Sequence, residues 1–224
     1  MARKTKQQAQ ETRQQILDAA LRVFSEHGVS ATSLADIAAA SGVTRGAIYW
    51  HFKNKAELFD EIWIQAELKL SQFELEYQTK FPDNPLHVMR ELLIYMLRLT
   101  VNDNQWRLMM EIVFHKCEFV GEMLPSFNAR KELYFGCYSD IESHLMRCIR
   151  MGLLPEDIQP RRAAVALRAY FSGLMENWLF MPESFDLARD APVLVDSFID
   201  MLRFSASFRQ SAPTEAHSVR KEEG

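Results

Sequence analysis

The 224-residue chain has few of the residues that interrupt helices, with only eight glycines and eight prolines. A fold rich in strands and tight turns needs these residues at its turns, so their scarcity argues against one. Ala, Leu, Met, Glu, Arg and Gln recur throughout, and all of them favour helix. The composition therefore predicts an all-α protein.

Cysteine is also scarce. Cys117, Cys137 and Cys148 are widely spaced, odd in number and form no CxxC pair, which argues against a disulfide framework or a zinc site. The six histidines form no ligand pair at helical spacing; they stand at positions 27, 51, 87, 115, 144 and 217. We therefore expect no metal and no cofactor, in a reducing compartment such as the cytoplasm.

Long apolar runs and common catalytic motifs are missing too. No stretch approaches the roughly 18 apolar residues of a membrane span, and the start, MARKTKQQAQETRQQ, lacks the apolar run of a signal peptide. The amphipathic segment 86–101 leaves a weaker alternative, a helix on a membrane surface, but it lacks a strongly basic face. The sequence contains no P-loop, GxGxxG, HExxH or GxSxG, so we expect no enzyme.

The charge is unevenly distributed along the chain. Residues 1–55 hold eight Lys/Arg and four Asp/Glu, whereas residues 56–224 hold 18 and 26. A basic N-terminal block on an acidic body is typical of a protein that meets a polyanion at one end, although so small a difference also arises by chance.

Capping signals and apolar spacing predict the helices. Ser33 with Asp36 fits a capping box, Thr44 can cap again, and Asn54 with Glu57 supplies a third cap. The predicted helices are 9–27, 34–41, 45–51, 55–79, 84–101, 104–115, 121–151, 161–180 and 190–207, with prolines near their borders (82, 85, 155, 160, 182 and 192). The polar segment 209–224 is predicted to be a disordered tail.

Residues 33–52 thus form two short helices joined by the tight turn SGVT, which is the geometry of a helix-turn-helix. The inward residues are predicted to be Leu34, Ile37, Ala38, Val43, Ile48 and Phe52, packed on Ile16, Leu17, Ala20, Leu21 and Phe24 of the first helix. Arg45, Gly46, Tyr49 and Trp50 remain on the outer face of the second short helix, where DNA would lie. Small side chains there let a backbone approach DNA closely.

The stretch TSLADIAAASGVTRGAIYWHFKNKAELF resembles the helix-turn-helix signature of the TetR family of bacterial repressors. The segments MARKTKQ, ETRQQIL, FHKCEFVGEM and SGLMENWLF are similar to the AcrR group, which represses multidrug efflux pumps. The resemblance implies a cytoplasmic homodimer that binds a pseudo-palindromic operator in double-stranded DNA. It also implies a larger C-terminal domain that dimerises and binds an inducer, which changes the spacing of the recognition helices and releases the operator.

The chemistry of the predicted DNA-binding end follows from residue type and position. Arg45 can grip guanine O6 and N7 together and would be the main base reader. Tyr49 and Trp50 can donate to phosphate, and Lys55 at a helix N-terminus favours a phosphate. The remaining candidates are Thr32, Ser33, Thr44 and Gly46, with Thr44 more easily explained as a cap. His51 is either a phosphate donor or simply half-buried, and the basic arm at 3–6 either tracks DNA or is a solvated tail.

The predicted ligand end contains one unusual residue. Glu67 interrupts an otherwise apolar and aromatic stripe of the long helix that includes Trp63 and Leu70. A carboxylate there is costly unless it is paired. It therefore meets an internal Arg or Lys, reaches only the rim, or faces a cavity that admits a cationic guest with cation–π support from Trp63. The resemblance favours the cavity and lipophilic cationic drugs, and further predicted walls are Met110, Phe114, Leu133 and Met175.

We predict residues 1–54 as the DNA-binding domain and 55–208 as the ligand-binding and dimerisation domain. Two apolar stripes are candidates for a four-helix interface between subunits, with burial inside one subunit as the competing interpretation. They comprise Leu167, Tyr170, Phe171 and Leu174, and Leu194, Val195, Phe198, Ile199 and Leu202. The alternative function is a TetR-type activator or repressor of other genes that senses an endogenous metabolite.

Overall fold

The computed structural model describes residues 6–118 and 121–209, without the side chains at 122, 125–127 and 129–136. Of the predicted basic arm, only Lys6 is described, and it begins the first helix; of the predicted tail, only Arg209 is described. The rest of both segments and the side chain of Leu133 lie outside the described residues. The α-helices are α1 (Lys6–His27), α2 (Leu34–Ala40), α3 (Arg45–His51), α4 (Lys55–Lys80), α5 (Pro85–Asn102), α6 (Asn104–Glu111), α7 (Leu124–Arg150), α8 (Pro160–Phe180) and α9 (Leu187–Phe204).

The all-α prediction is confirmed. Short 3₁₀ turns cover Gly121–Met123, Pro182–Ser184 and Ala206–Phe208. Among the described residues, no helix has both the length and the apolar character that crossing a bilayer would require.

The first three helices pack as predicted from the apolar stripes. The five predicted core residues of α1 are at most 5% exposed. Ile37, Ile48 and Phe52 are fully or almost fully buried against them, and Val43 packs at the edge of the same core. The two short helices thus reach stability through a shared core, since helices of seven residues are marginal in isolation.

Helix α4 links this N-terminal core to the rest of the molecule. Its first turns are buried among the N-terminal helices, where the Phe59 ring meets the Phe24 ring edge-on at a centroid distance of 6.4 Å. Its later turns pack on α5, where the rings of Phe73 and Tyr95 stack at 4.0 Å. At about 1.5 Å per residue, its 26 residues extend about 39 Å.

Two predictions about helix ends are wrong. The predicted helix 104–115 becomes a π-helical turn at Ile112–Lys116, which we call the π turn. Pro192 lies inside α9 rather than at its border. Because proline has no N–H, it leaves the Ala188 carbonyl without its helical donor, and Arg98 Nε lies 3.5 Å from that carbonyl oxygen instead.

The two apolar stripes that were candidates for the subunit interface, on α8 and α9, face mainly into the subunit. Phe171, Val195 and Phe198 are at most 2% exposed, so burial within one subunit explains them. Tyr170 follows the same pattern: its ring packs on Phe198 at 5.4 Å. Apolar periodicity located the buried faces of α8 and α9. The large apolar side chains left exposed on and beside these two helices are Val165, Phe180, Met181, Val193, Met201 and Phe204.

Candidate nucleic-acid interface and ligand site

The outer face of α3 is the strongest candidate for contact with DNA. Ile48 and Phe52 anchor the helix in the core, while Tyr49 is 58% and Trp50 73% exposed. Arg45, in the first turn, is exposed as well. The helix therefore presents an arginine and two rings to solvent on a rigidly held backbone.

Short-range caps fix the ends of α2 and α3. The Ser33 hydroxyl donates to Asp36 Oδ2 at 2.6 Å and accepts from the Asp36 N–H at 3.2 Å, which completes the predicted capping box. The Ser33 hydroxyl, followed by the Ser33 N–H, lowers the pKa of Asp36 below its ordinary value. Thr44 Oγ1 accepts from the Ala47 N–H at 3.2 Å and so caps α3. Gly42 takes a φ of 68° in the turn between the helices, a conformation that favours glycine.

Gly46 needs another explanation, because the protein itself does not require a glycine there. Its φ lies outside the left-handed region, and a Cβ added to it would meet only the Thr44 hydroxyl at 4.0 Å. Glycine in a helix is unfavourable relative to alanine. The space above Gly46 is therefore open toward the surface where DNA would approach.

His51 lies next to this face rather than in the core. Its ring is half-exposed and meets the Trp50 ring edge-on, with centroids 4.5 Å apart and planes at 88°. The contact restricts the Trp50 side chain, so His51 orients a ring of the outer face.

Two predicted phosphate contacts do not fit this geometry. The Lys55 side chain is buried, and its Nζ donates to the carbonyls of Val29 at 3.0 Å and Ser30 at 3.4 Å. Thr32 is also buried, with its hydroxyl donating to the Gly28 carbonyl at 2.7 Å. Both side chains satisfy carbonyls of the turn after α1, because a turn that follows a helix exposes carbonyls that need donors.

In the predicted ligand site, Glu67 finds its partner on its own helix. The Trp63 indole N–H donates to Glu67 Oε1 at 2.5 Å, and both side chains are half-buried. This neutral donor was not among the alternatives weighed from the sequence. The spacing of four residues, which brings side chains together on one helix face, is the signal that could have found it.

The other described wall residues occupy the same hydrophobic core. Met110 and Met175 are both 6% exposed, and Leu70 and Phe114 are partly buried against the core. A small cavity of about 50 Å³ lies between α1, α4 and α6, lined on its apolar side by Ile62, Trp106 and Met109. Within the described residues, its walls include neither Trp63 nor Glu67, and no three His, Cys, Asp or Glu side chains converge as metal ligands would.

An N-terminal three-helix unit with an exposed, capped second short helix defines a helix-turn-helix DNA-binding protein with a helical C-terminal domain. Comparison with known families identifies it further. Residues 16–62 match the model of the bacterial regulatory proteins of the tetR family, and residues 84–204 match the C-terminal region of MAATS-type transcriptional repressors.

The chain is also similar to individual regulators over nearly its whole length. It is 55% identical over 215 residues to the HTH-type transcriptional regulator AcrR of Shigella flexneri, which covers 96% of the chain and 100% of the relative. Among solved structures, NalD, the secondary repressor of the MexAB-OprM multidrug efflux pump in Pseudomonas aeruginosa, has a TM-score of 0.78 at 33% identity and covers 89% of this chain and 100% of its own.

A second similar solved structure is the complex of SmeT with triclosan. It has a TM-score of 0.76 at 31% identity, and the match covers 90% of this chain and 96% of that one. SmeT is the repressor of the Stenotrophomonas maltophilia multidrug efflux pump SmeDEF.

The chain therefore belongs to the TetR family and is AcrR-like, as the sequence resemblance predicted. Since its family and relatives are transcriptional regulators, the prediction that it is not an enzyme is confirmed.

Proposed function

We propose that this protein is a ligand-responsive repressor of a multidrug efflux operon, released from its operator by lipophilic cationic drugs. The DNA-binding part of this proposal rests on the exposed face of α3, which buried Ile48 and Phe52 hold in place. The similarity to NalD and SmeT supports an efflux operon as the target. The protein would act in the cytoplasm as a homodimer on a pseudo-palindromic site.

On DNA, different residues of the α3 face contact bases and backbone. Arg45, at the N-terminal end of α3, reads a guanine through its bidentate guanidinium. Tyr49 and Trp50 grip sugar and phosphate one turn later, and the bare backbone at Gly46 lets the helix sit deep in the major groove. Ser33 and Thr44 lie at helix starts close to the same surface, where their hydroxyls and the neighbouring N–H groups favour phosphate.

Dimerisation would set the distance between two such faces. Helix α9 carries three exposed apolar side chains on one side, Val193, Met201 and Phe204, and α8 adds Val165 and Phe180. Exposed apolar patches of this kind mark interaction surfaces. A two-fold pairing through them would present two recognition helices to successive half-sites.

The inducer would bind in the core between α4, α6, α7 and α8. Glu67 supplies the charge for a cation, Trp63 supplies a ring face, and flexible Met110 and Met175 adapt to guests of different shape. The Trp63 indole N–H already donates to one carboxylate oxygen of Glu67, so a cation entering here competes with this contact.

The experiment that tests the DNA-binding function is sequencing of the DNA that the purified protein selects from a random library, alone and with tetraphenylphosphonium. We expect one pseudo-palindromic site that is depleted when the cation is present. Arg45→Ala should select the same site with one relaxed position in each half, whereas Arg150→Ala, exposed at the far end of α7, should leave it unchanged.

Selection of no sequence would overturn the repressor proposal. A sequence that is selected equally well with and without the cation would favour the alternative, a regulator that senses another metabolite. An unchanged site in Arg45→Ala would remove Arg45 as the base reader.

A further inference from the structure

The C-terminal end of α1 makes an unusual exchange of hydrogen bonds with the π turn. In a continuing α-helix, the Val29 N–H would donate to the Ser25 carbonyl. Here it donates to the Lys116 carbonyl at 3.1 Å. The Ser25 carbonyl accepts instead from the Lys116 ammonium. Lys116 therefore supplies an acceptor for the Val29 N–H and a donor for the Ser25 carbonyl, the two groups that a continuing helix would join to each other.

Lys55 holds the same segment from the other side. Its buried Nζ, at the first residue of α4, donates to the carbonyls of Val29 and Ser30. We call residues 25–30 the α1 turn. Two lysine ammoniums at the carbonyl end of a helix are electrostatically favourable, because that end carries partial negative charge. The α1 turn is therefore clamped between the start of α4 and the π turn.

The α1 turn leads directly into the helix-turn-helix. Thr32 closes it with two bonds, its hydroxyl to the Gly28 carbonyl and its N–H to the Val29 carbonyl. Ser33 then caps α2. A shift of the α1 turn would therefore be passed to α2 and, through the shared core, to α3.

The other end of this connection lies at the predicted ligand site. Phe114, one of its predicted walls, is two residues before Lys116 in the π turn. The neighbouring His115 ring lies edge-on to Phe180 of α8, with centroids 6.4 Å apart. A π turn holds one residue more than the corresponding α turn and often occurs at functional sites. If a guest changes this turn, the position of Lys116 changes with it.

We propose that Lys116 is a positioning residue that couples inducer binding to the recognition helix through the α1 turn. This inference rests on the proposed function. Lys55, on α4, is its counterpart and fixes the other side of the α1 turn. A displacement of the π turn therefore tilts α2 and α3 and does not translate the whole N-terminal unit.

The test uses the full-length dimer, a fluorescent copy of the selected operator and tetraphenylphosphonium as the probe. We expect Lys116→Met to bind the cation as the wild type does. The ratio of operator affinities without and with the cation should fall by roughly two- to thirty-fold. Lys116→Arg keeps a donor for the Ser25 carbonyl and should restore most of the ratio. Lys80→Met, exposed at the other end of α4, is the matched control and should change nothing.

Hydrogen exchange supplies a second readout that a merely structural lysine would not change. In the wild type, tetraphenylphosphonium should speed the exchange of the Val29 amide, which is bonded to Lys116, and the effect should be smaller in Lys116→Met. An unchanged affinity ratio together with unchanged Val29 exchange would overturn the role of Lys116.

The proposed function can fail separately. If the cation leaves wild-type operator binding unaltered, cation induction is wrong, and Lys116 is then judged by ligand-free operator affinity alone. Lys116→Met and Lys55→Met should both weaken it relative to Lys80→Met in folded protein, as checked by thermal unfolding. Equal affinities in all three variants would overturn the clamp.

Discussion

At the scale of single residues, α3 places opposite functions at neighbouring positions. Ile48 is fully buried and Tyr49, the next residue, is 58% exposed. Because successive helical residues point about 100° apart, seven residues suffice for an anchoring face and a reading face. We therefore assign DNA recognition to side chains whose removal leaves the core intact.

Gly46 offers the sharpest test of this assignment. Gly46→Ala should stabilise the protein by up to about 1 kcal/mol, because alanine is the better helix former and the added Cβ meets only Thr44 at 4.0 Å. It should nevertheless weaken operator binding, because the added Cβ keeps the helix away from the DNA. We expect a loss of about fivefold or more, similar to the effect of one mismatched base pair. Thermal unfolding and fluorescence anisotropy measure the two effects.

The matched control is Thr79→Ala, an exposed substitution at the far end of α4 that also gains helix propensity. It should leave operator affinity unchanged. Equal operator affinities for wild type and Gly46→Ala would contradict a close approach of DNA at this position.

A substitution of Glu67 distinguishes the contribution of its charge to ligand affinity from that of its shape. Glu67→Gln keeps an oxygen that can accept from the Trp63 indole but removes the charge. Affinity for tetraphenylphosphonium should fall by roughly tenfold, which corresponds to about 1.4 kcal/mol. Affinity for an uncharged lipophilic probe of similar size, such as triphenylphosphine oxide, should change little. Calorimetry measures both.

Glu76→Gln, on the same helix but exposed and paired with Lys80, is the control and should alter neither affinity. If Glu67→Gln weakens both ligands equally, the residue shapes the site without recognising charge. If it weakens neither, the proposed site is wrong.

At the scale of elements, the capping box of α2 makes stability depend on pH. The pKa of Asp36 is lowered, so its bonds stabilise the folded state above the unfolded pKa, near 4, and are lost as the pH falls through the folded pKa. Ser33→Ala should therefore lower the melting temperature at pH 7, and the gap to wild type should narrow below about pH 4.

Circular dichroism melts between pH 7 and pH 3 measure this gap. Ser184→Ala is the control, since the Ser184 hydroxyl donates to the Met181 carbonyl, a group that does not titrate. A gap between wild type and Ser33→Ala that stays constant over this range would show that Asp36 is not part of the cap.

Sequence patterns predicted the N-terminal elements almost residue for residue, because local signals decide them. Ser33, Thr44 and Asn54 cap α2, α3 and α4 as expected. The inward residues of α2 and α3 were also found, because two short amphipathic helices have one apolar face each.

Contacts between distant parts of the chain could not be predicted in this way. The sequence places Lys55 at a helix start, where a phosphate contact is reasonable, but its partner at Val29 is 26 residues away. Likewise, apolar stripes on α8 and α9 do not reveal whether the same subunit or a partner covers them. The π turn and the internal Pro192 depend on tertiary contacts that local periodicity does not encode.

At the scale of the whole molecule, binding of a two-half-site operator requires a dimer. Phe204 is 80% exposed at the end of α9 and belongs to the apolar surface that we assign to the interface. Phe204→Glu should yield monomers, because a charge buried in an apolar interface is costly. Operator binding should weaken with it, since two half-sites are then no longer bound together. Analytical ultracentrifugation measures the first effect.

Leu75→Glu, which alters another exposed apolar residue on α4 (66% exposed), should leave the dimer intact. A dimeric Phe204→Glu protein with normal operator affinity would place the interface elsewhere.

In the proposed function, a cationic guest and the operator oppose each other through one molecule. Linkage makes this opposition reciprocal: the guest weakens operator binding by the same factor by which the operator weakens guest binding. A purely structural cavity in the C-terminal domain would show neither effect.

The most direct measurement is the operator affinity of the full-length wild type, by fluorescence anisotropy, with and without saturating tetraphenylphosphonium whose binding is verified by calorimetry. We expect the operator affinity to decrease by about 5- to 150-fold, the usual range of coupling between sites. An operator affinity that is the same in both conditions would contradict this expectation.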